Sequence, residues 1–308
     1  MPWTSADMPD QSGRTALVTG ANSGLGLETA RALAAKGARV LLACRNLEKA
    51  QAAERQLNAE SRGELIPLQL DLADLNSVHT AADQVVERWG VLDLLINNAG
   101  VMAPPRQCST QGLELQFAVN HLGHFALTQK LLPLLRQRPD ARVVHVSSGA
   151  AYFGRITFDD LQGERRYNAW RAYGQSKLAN LMTAVELQHR LESSGSNVRS
   201  IAAHPGLART NLQPRSVAAR GSRIEALAYR LMDPLFQSAA MGALPQLFAA
   251  TAPEAKAGVF YGPGGFGNLR GYPTSCRMPP QALDATACAR LRSVSAALIG
   301  SAPAGGSL

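Results

Sequence analysis

The sequence predicts an α/β fold, a doubly wound parallel β-sheet of about seven strands with helices on both faces. Short β-rich apolar runs alternate with helical patterns through the first half of the chain. Their spacing is that of βαβ units rather than hairpins. A glycine cluster stands where the first strand meets the first helix.

The elements follow in order. RTALVTG (14–20) reads as a buried strand and LGLETARALAAKG (25–37) as the helix behind it. ARVLLACR (38–45) and ELIPLQLDL (64–72) are the next strands, each followed by a helical pattern, over 47–60 and 75–90. LDLLINNAG (92–100), ARVVHVSS (141–148), NVRSIAAHPG (197–206) and GVFYG (258–262) supply the remaining strands. Right-handed crossovers wind such a chain into one sheet. With no internal repeat and no interdomain linker, residues 1–308 are expected to form a single domain. Residues 207–256 read as a helical insertion on the substrate side, and 301–308, SAPAGGSL, as a flexible tail.

Composition narrows the function. Hydrophobic content of 46% with 18% charged residues fits a soluble globular protein. No apolar run approaches the roughly 20 residues of a membrane span, and MPWTSADMPDQSG at the N-terminus lacks the marks of a secretory signal, so a cytoplasmic location is expected. The four cysteines, Cys44, Cys108, Cys276 and Cys288, show no metal spacing and suit reduced thiols. The net charge of +8 comes mostly from Arg spread along the chain, with no nucleic-acid motif and only 6% aromatics. It favours an anionic cofactor over a nucleic acid.

In TGANSGLG (19–26), Gly20, Gly24 and Gly26 let the backbone turn sharply and approach a pyrophosphate at a helix N-terminus. The candidate cofactor contacts of this Rossmann-type turn are Gly20, Asn22, Ser23, Gly24, Leu25 and Gly26. The second strand ends in LLACRN, with Arg45 where an acid would read a ribose 2′-hydroxyl. A carboxylate repels a 2′-phosphate, whereas a guanidinium binds it, which predicts NADP(H) over NAD(H). The alternative is a solvated Arg at a strand end. Asp71, followed by Leu72, has two readings: acceptor for the adenine amino group, or cap of the next helix. In AYGQSKLAN (172–180), Tyr173 and Lys177 share one helix face at i, i+4 spacing.

TGANSGLG, NNAG (97–100), VSS (146–148), YGQSK (173–177) and HPG (204–206) together resemble the short-chain dehydrogenase/reductase family, over about residues 13–262. LLACRN, VNHLGHFALT (119–128) and FDDLQGERRYNAWRAYGQSKLAN (158–180) are similar to its retinol dehydrogenase-like branch, a pattern shared with protochlorophyllide reductases. Vertebrate members of that branch usually carry an N-terminal membrane anchor, which this sequence does not display. The resemblance implies Tyr173 as acid/base, Lys177 as its partner, Ser148 as ligand of the substrate oxygen and Asn120 as holder of a relay water. It implies Asn98, Ala99 and Gly100 beside the cofactor, and Pro205, Gly206 and Thr210 along the nicotinamide.

The expected reaction interconverts a hydrophobic aldehyde or ketone and an alcohol by hydride transfer. A phenol of ordinary pKa near 10 needs a neighbouring cation to work as a base at neutral pH. Tyr152, four residues beyond Ser148, either lines the substrate pocket or packs. His121, His124 and His145 lie in apolar segments and read as packing residues, and no metal site is expected. Over 207–256, apolar positions at helical spacing interleave with arginines, which leaves a packed helix or a lid that touches membrane surfaces open. A homodimer or homotetramer is implied by the family. The rival functions are a light-dependent C=C reductase of a tetrapyrrole and a non-catalytic NADP(H)-binding regulator.

Overall fold

The computed structural model describes residues 2–209 and 236–300. Its strands are β1 (Thr15–Thr19), β2 (Arg39–Cys44), β3 (Leu65–Gln69), β4 (Leu94–Asn97), β5 (Arg142–Val146), β6 (Arg199–Ala203), β7 (Phe260–Pro263) and β8 (Pro273–Cys276). Among the described residues they form one sheet in the order β3-β2-β1-β4-β5-β6-β7-β8. All neighbours pair in parallel except β7 and β8, which are antiparallel, with Phe260 opposite Cys276. The strand β8 goes beyond the seven expected. Its PTSC carries no apolar run, because an edge strand needs only backbone partners, and proline is tolerated at its start.

The helices are α1 (Gly24–Ala35), α2 (Leu47–Leu57), α3 (Leu75–Arg88), α4 (Gly123–Arg136), α5 (Ala169–Ser193), α6 (Ala239–Thr251) and α7 (Ala285–Leu298). Period-two alternation along each strand divides the core between two faces. Leu17, Leu41, Leu95 and Val143 join the layer built with α3, α4, α5 and α7. Val18, Leu42, Ile96 and Val144 join the layer built with α1, α2 and α6. Strand order reverses direction between β1 and β4, which opens a crevice at the carboxyl ends of the strands.

The C-terminal part of the expected 207–256 insertion is different in kind. The helix α6 packs on α1, β5, β6 and β7 as the crossover between β6 and β7, with Ala243, Ala249 and Ala250 fully buried. Alternating small residues let it lie close to the sheet, and this gave it no amphipathic stripe to read. Residues 210–235, and with them Thr210 and the arginine-rich pattern, lie outside the described residues, as does the tail 301–308. Downstream, α7 packs against α5, and Ser295 bonds the His121 ring at 2.8 Å. No helix among the described residues is long and apolar enough to cross a membrane.

Candidate active site

The chain leaves β1 at Thr19 and reverses through Gly20, whose φ of +69° suits glycine. The amides of Gly20 and Ala21 both donate to Ala43 O of β2, at 2.7 and 3.4 Å. That seats the turn against the strand end where Arg45 stands exposed. Among the described residues, no ion pair or side-chain hydrogen bond ties Arg45 down. A Cβ on Gly26 would lie 2.3 Å from Gly20 O and 2.6 Å from Asn98 Nδ2, so only hydrogen fits there. Ser23 precedes α1 without making a side-chain cap, whereas Asn46, Asp74, Asn168, Ser238 and Asp284 each cap their helices. A glycine cradle at a helix N-terminus whose amides no side chain occupies fits the pyrophosphate of a dinucleotide.

Thr19 is the hub beneath this turn. Its Oγ1 accepts from the backbone amides of Asn98 and Ala99, each at 2.9 Å. Asn98 returns a bond from Nδ2 to Thr19 O at 2.7 Å, and its Oδ1 accepts from the buried Gln246 of α6. The NNAG segment is thereby locked to β1. Asp71 Oδ1 accepts from Ala73 N at 2.9 Å, and the cap of α3 is Asp74 instead. Leu72 is buried in the core, its carbonyl so close to Gly123 that an added Cβ would meet it at 2.7 Å.

The proton-transfer candidates come from α5 and the end of β5. Asn168 caps α5 by accepting from Arg171 N at 3.0 Å, and the helix is buried without a break from Tyr173 to Met182. Three bonds stitch it to β5: Ser147 Oγ donates to Lys177 O, and Lys177 Nζ and Asn180 Nδ2 both donate to Val146 O. Lys177 Nζ lies 5.9 Å from the centroid of the Tyr173 ring, and burial pushes its ammonium down to about 8. Ser148 opens a 3-10 turn, with its Oγ accepting from Ala150 N at 3.2 Å.

Asn120 sits behind this group, fully buried, in a π-helical turn (Ala118–Leu122). Such turns are rare and collect at functional sites. Its Oδ1 accepts from Val101 N at 2.8 Å, and its Nδ2 donates to Val101 O and Ser176 Oγ, each at 2.9 Å. Gly100 fills the gap between the two groups: a Cβ there would stand 3.1 Å from Asn120 Oδ1 and 3.3 Å from Lys177 Nζ.

A cleft of about 550 Å³ joins these parts. Leu25, Asn98, Gly100, Ser148, Tyr152, Tyr173, Lys177, Pro205 and Gly206 all line it. Gly20, Asn22, Ser23, Gly24 and Gly26 of the turn, with Ala99, Arg45, Asp71, Leu72 and Asn120, are not among its lining residues. Its large apolar lining residues were not foreseen, among them Met102, Phe153, Trp170, Leu207, Phe236 and Leu269. Trp170 stands one helical turn before Tyr173, rings 6.1 Å apart and nearly perpendicular, which i, i+3 spacing makes readable. Leu269 is remote in sequence and arrives because the Gly206 turn, at φ +63°, leaves no room for a Cβ beside Leu269 O. Among the described residues that line the cleft, Lys177 is the only charged side chain.

Tyr152 lines the cleft with its ring, but its hydroxyl donates to Arg277 O at 2.8 Å and so anchors the segment after β8. His121, His124, His145 and His204 are buried. Burial holds His121 and His145 near about 3, and His204, beside Cys276 Sγ at 3.5 Å, near about 4. One buried side chain ties the segments beside Met102 and Trp170 together: Gln116 Oε1 accepts from Ala103 N, and its Nε2 donates to Tyr167 Oη and Ala169 O. Ala103 is held at φ +45°, a strained value for alanine, next to Met102.

A doubly wound sheet with a glycine turn and a Ser-Tyr-Lys group over its crevice defines a Rossmann-type nucleotide-dependent enzyme. The chain belongs to the short-chain dehydrogenase family, whose model matches residues 14–221. It is 42% identical over 243 residues to retinol dehydrogenase 12 of Mus musculus, covering 79% of this chain and 74% of that one. Retinol dehydrogenase 14 of Homo sapiens is 38% identical over 306 residues, covering 94% and 87%. A crystal structure of an uncharacterised protein from Mycobacterium paratuberculosis superposes with a TM-score of 0.81 at 40% identity, over 98% of this chain and 99% of that one. These relatives make it retinol dehydrogenase-like, a nicotinamide-dependent oxidoreductase of carbonyl/alcohol pairs.

Proposed function

We propose that the protein is an NADP(H)-preferring oxidoreductase that interconverts a hydrophobic aldehyde or ketone and its alcohol, with Tyr173 as general acid/base. One observation carries this reading: Ser148, Tyr173 and Lys177 meet in one apolar-walled cleft beside the glycine turn. The turn, Asn98 to Gly100, and Pro205 with Gly206 would hold the cofactor, with Arg45 taking the 2′-phosphate. A nicotinamide cofactor supplies hydride to the carbonyl carbon in reduction and accepts it in oxidation. Tyr173 hands its phenolic proton to the oxygen as an alkoxide forms there, and Ser148 donates a hydrogen bond to the same oxygen.

The Lys177 ammonium favours the phenolate after transfer, and Asn120 keeps Val101 and Gly100 in register with it. Among the described residues the wall of Met102, Phe153, Trp170 and Leu269 carries no carboxylate or guanidinium, which favours neutral hydrophobic substrates over acids and phosphates. The same reading expects a cytoplasmic homodimer or homotetramer.

The test is titration with NADPH and NADH, followed by NADPH oxidation against a panel of aldehydes and ketones. The expected result is an NADPH preference that collapses in Arg45→Asp and turnover that is lost in Tyr173→Phe. Tight NADPH binding without turnover on any carbonyl would favour a pigment substrate or a regulatory role. Absence of binding by either cofactor would end the proposal.

A further inference from the structure

We infer that His124 is a positioning residue, which ties the floor of the glycine turn to the π-helical turn that carries Asn120. The inference rests on the proton-transfer role proposed for Tyr173, Lys177 and Asn120. It starts from a polar ring where packing alone would take an apolar one. His124 is 3% exposed on α4, in the middle of the apolar stretch GHFALT. Its Nδ1 lies 3.0 Å from Asn120 O, and its Nε2 lies 2.8 Å from Thr19 Oγ1.

The partners fix the protons. A backbone carbonyl only accepts, so Nδ1 carries hydrogen and donates to Asn120 O. The ring is neutral, since burial, with Lys177 adding repulsion, pushes it down to about 4. Its Nε2 is therefore an acceptor, and the Thr19 hydroxyl donates to it. Thr19 Oγ1 in turn accepts the amides of Asn98 and Ala99, each at 2.9 Å. One directional chain thus runs from NNAG through Thr19 and His124 to Asn120. From there Asn120 Nδ2 donates to Ser176 Oγ, and Ser176 donates to Tyr173 O at 2.8 Å.

The two ends of the ring serve different partners. The Nε2 end supports Thr19, and through it the segment packed on the glycine turn. The Nδ1 end supports Asn120, whose Oδ1 and Lys177 Nζ both border the space a Cβ on Gly100 would occupy. A shift of Asn120 by a few tenths of an ångström therefore moves Val101, whose amide and carbonyl it holds, and with it Gly100 beside Lys177, where small misplacements cost rate.

Three variants separate the ends. His124→Asn puts an amide nitrogen near the Nδ1 position and keeps the donor to Asn120 O. His124→Gln puts an amide oxygen near the Nε2 position and keeps the acceptor for Thr19. His124→Phe keeps ring volume and loses both. The expected result in His124→Gln is a kcat lower by between about tenfold and a hundredfold, with NADPH affinity nearly kept. In His124→Asn, kcat is nearly kept and NADPH affinity falls by about fivefold to tenfold. His124→Phe loses both.

Histidine nitrogen NMR of the unliganded wild-type protein gives a readout apart from activity, and the expected species is the neutral Nδ1-protonated tautomer. An Nε2-protonated ring would overturn the inference. So would a His124→Phe variant with unchanged kcat and affinity, or three variants whose losses simply track their melting temperatures. Wild-type protein with that tautomer and no turnover on any carbonyl would retain the link and sink only the functional reading.

Discussion

Replacing Lys177 with methionine should abolish turnover and make the protein more stable. The ammonium is fully buried, and desolvation brings it from 10.5 down to about 8. At roughly 1.36 kcal/mol per pH unit, that gap is a cost of about 3 kcal/mol to the folded state at neutral pH. Between pH 8 and 10.5 the unfolded lysine binds more proton than the folded one, so wild-type stability climbs with pH across this window. Below the window the cost is present in full.

Methionine fills nearly the same volume without the charge. The lost Nζ bond to Val146 O returns about 1 kcal/mol, and Asn180 Nδ2 still satisfies that carbonyl. The net gain is about 2 kcal/mol near pH 7, a rise of a few degrees in melting temperature, and it falls to about zero near pH 9.5. Urea denaturation of both proteins at the two pH values measures it. A variant less stable than wild type at neutral pH, or a difference that does not change with pH, would refute the reasoning.

Other substitutions probe the remaining contacts. Gly26→Ala drives a Cβ to 2.3 Å from Gly20 O, so it should lose about 1–3 kcal/mol of stability and most NADPH binding by calorimetry. Affinity within about twofold of wild type would show that the cradle can yield. Gln116→Leu removes the partner of Ala103 N and should cost about 1–3 kcal/mol. Because it frees the Met102 and Trp170 walls from each other, KM for bulky carbonyls should rise more than kcat falls, and an equal loss across substrates of all sizes would contradict that. Tyr152→Phe keeps the ring in the cleft and loses the bond to Arg277 O. Steady-state kinetics should change by less than about threefold, whereas a large fall in kcat alone would make the hydroxyl a substrate contact.

The parallel strands and their crossovers were legible because apolar alternation and glycine turns are local properties of the chain. So was the pairing of Tyr173 with Lys177, since i, i+4 spacing puts both on one helix face whatever the surroundings. Ser148 and Gly26 were readable from motif position. What the sequence could not carry was any contact between residues far apart along it. The strand β8 exists only because β7 offers it a backbone edge, and α6 looked like an insertion because its buried small residues show no stripe. Tyr152 has its hydroxyl spent on Arg277, 125 residues away. His124 read as packing, yet Thr19, 105 residues distant, bonds its Nε2 while Asn120 O takes its Nδ1, two directed hydrogen bonds in place of a greasy contact. Periodicity and turn chemistry act over a few residues, whereas the depression of Lys177 to about 8 and the neutral ring of His124 depend on burial. Burial is settled only when the sheet, both helical layers and the C-terminal segment close around them.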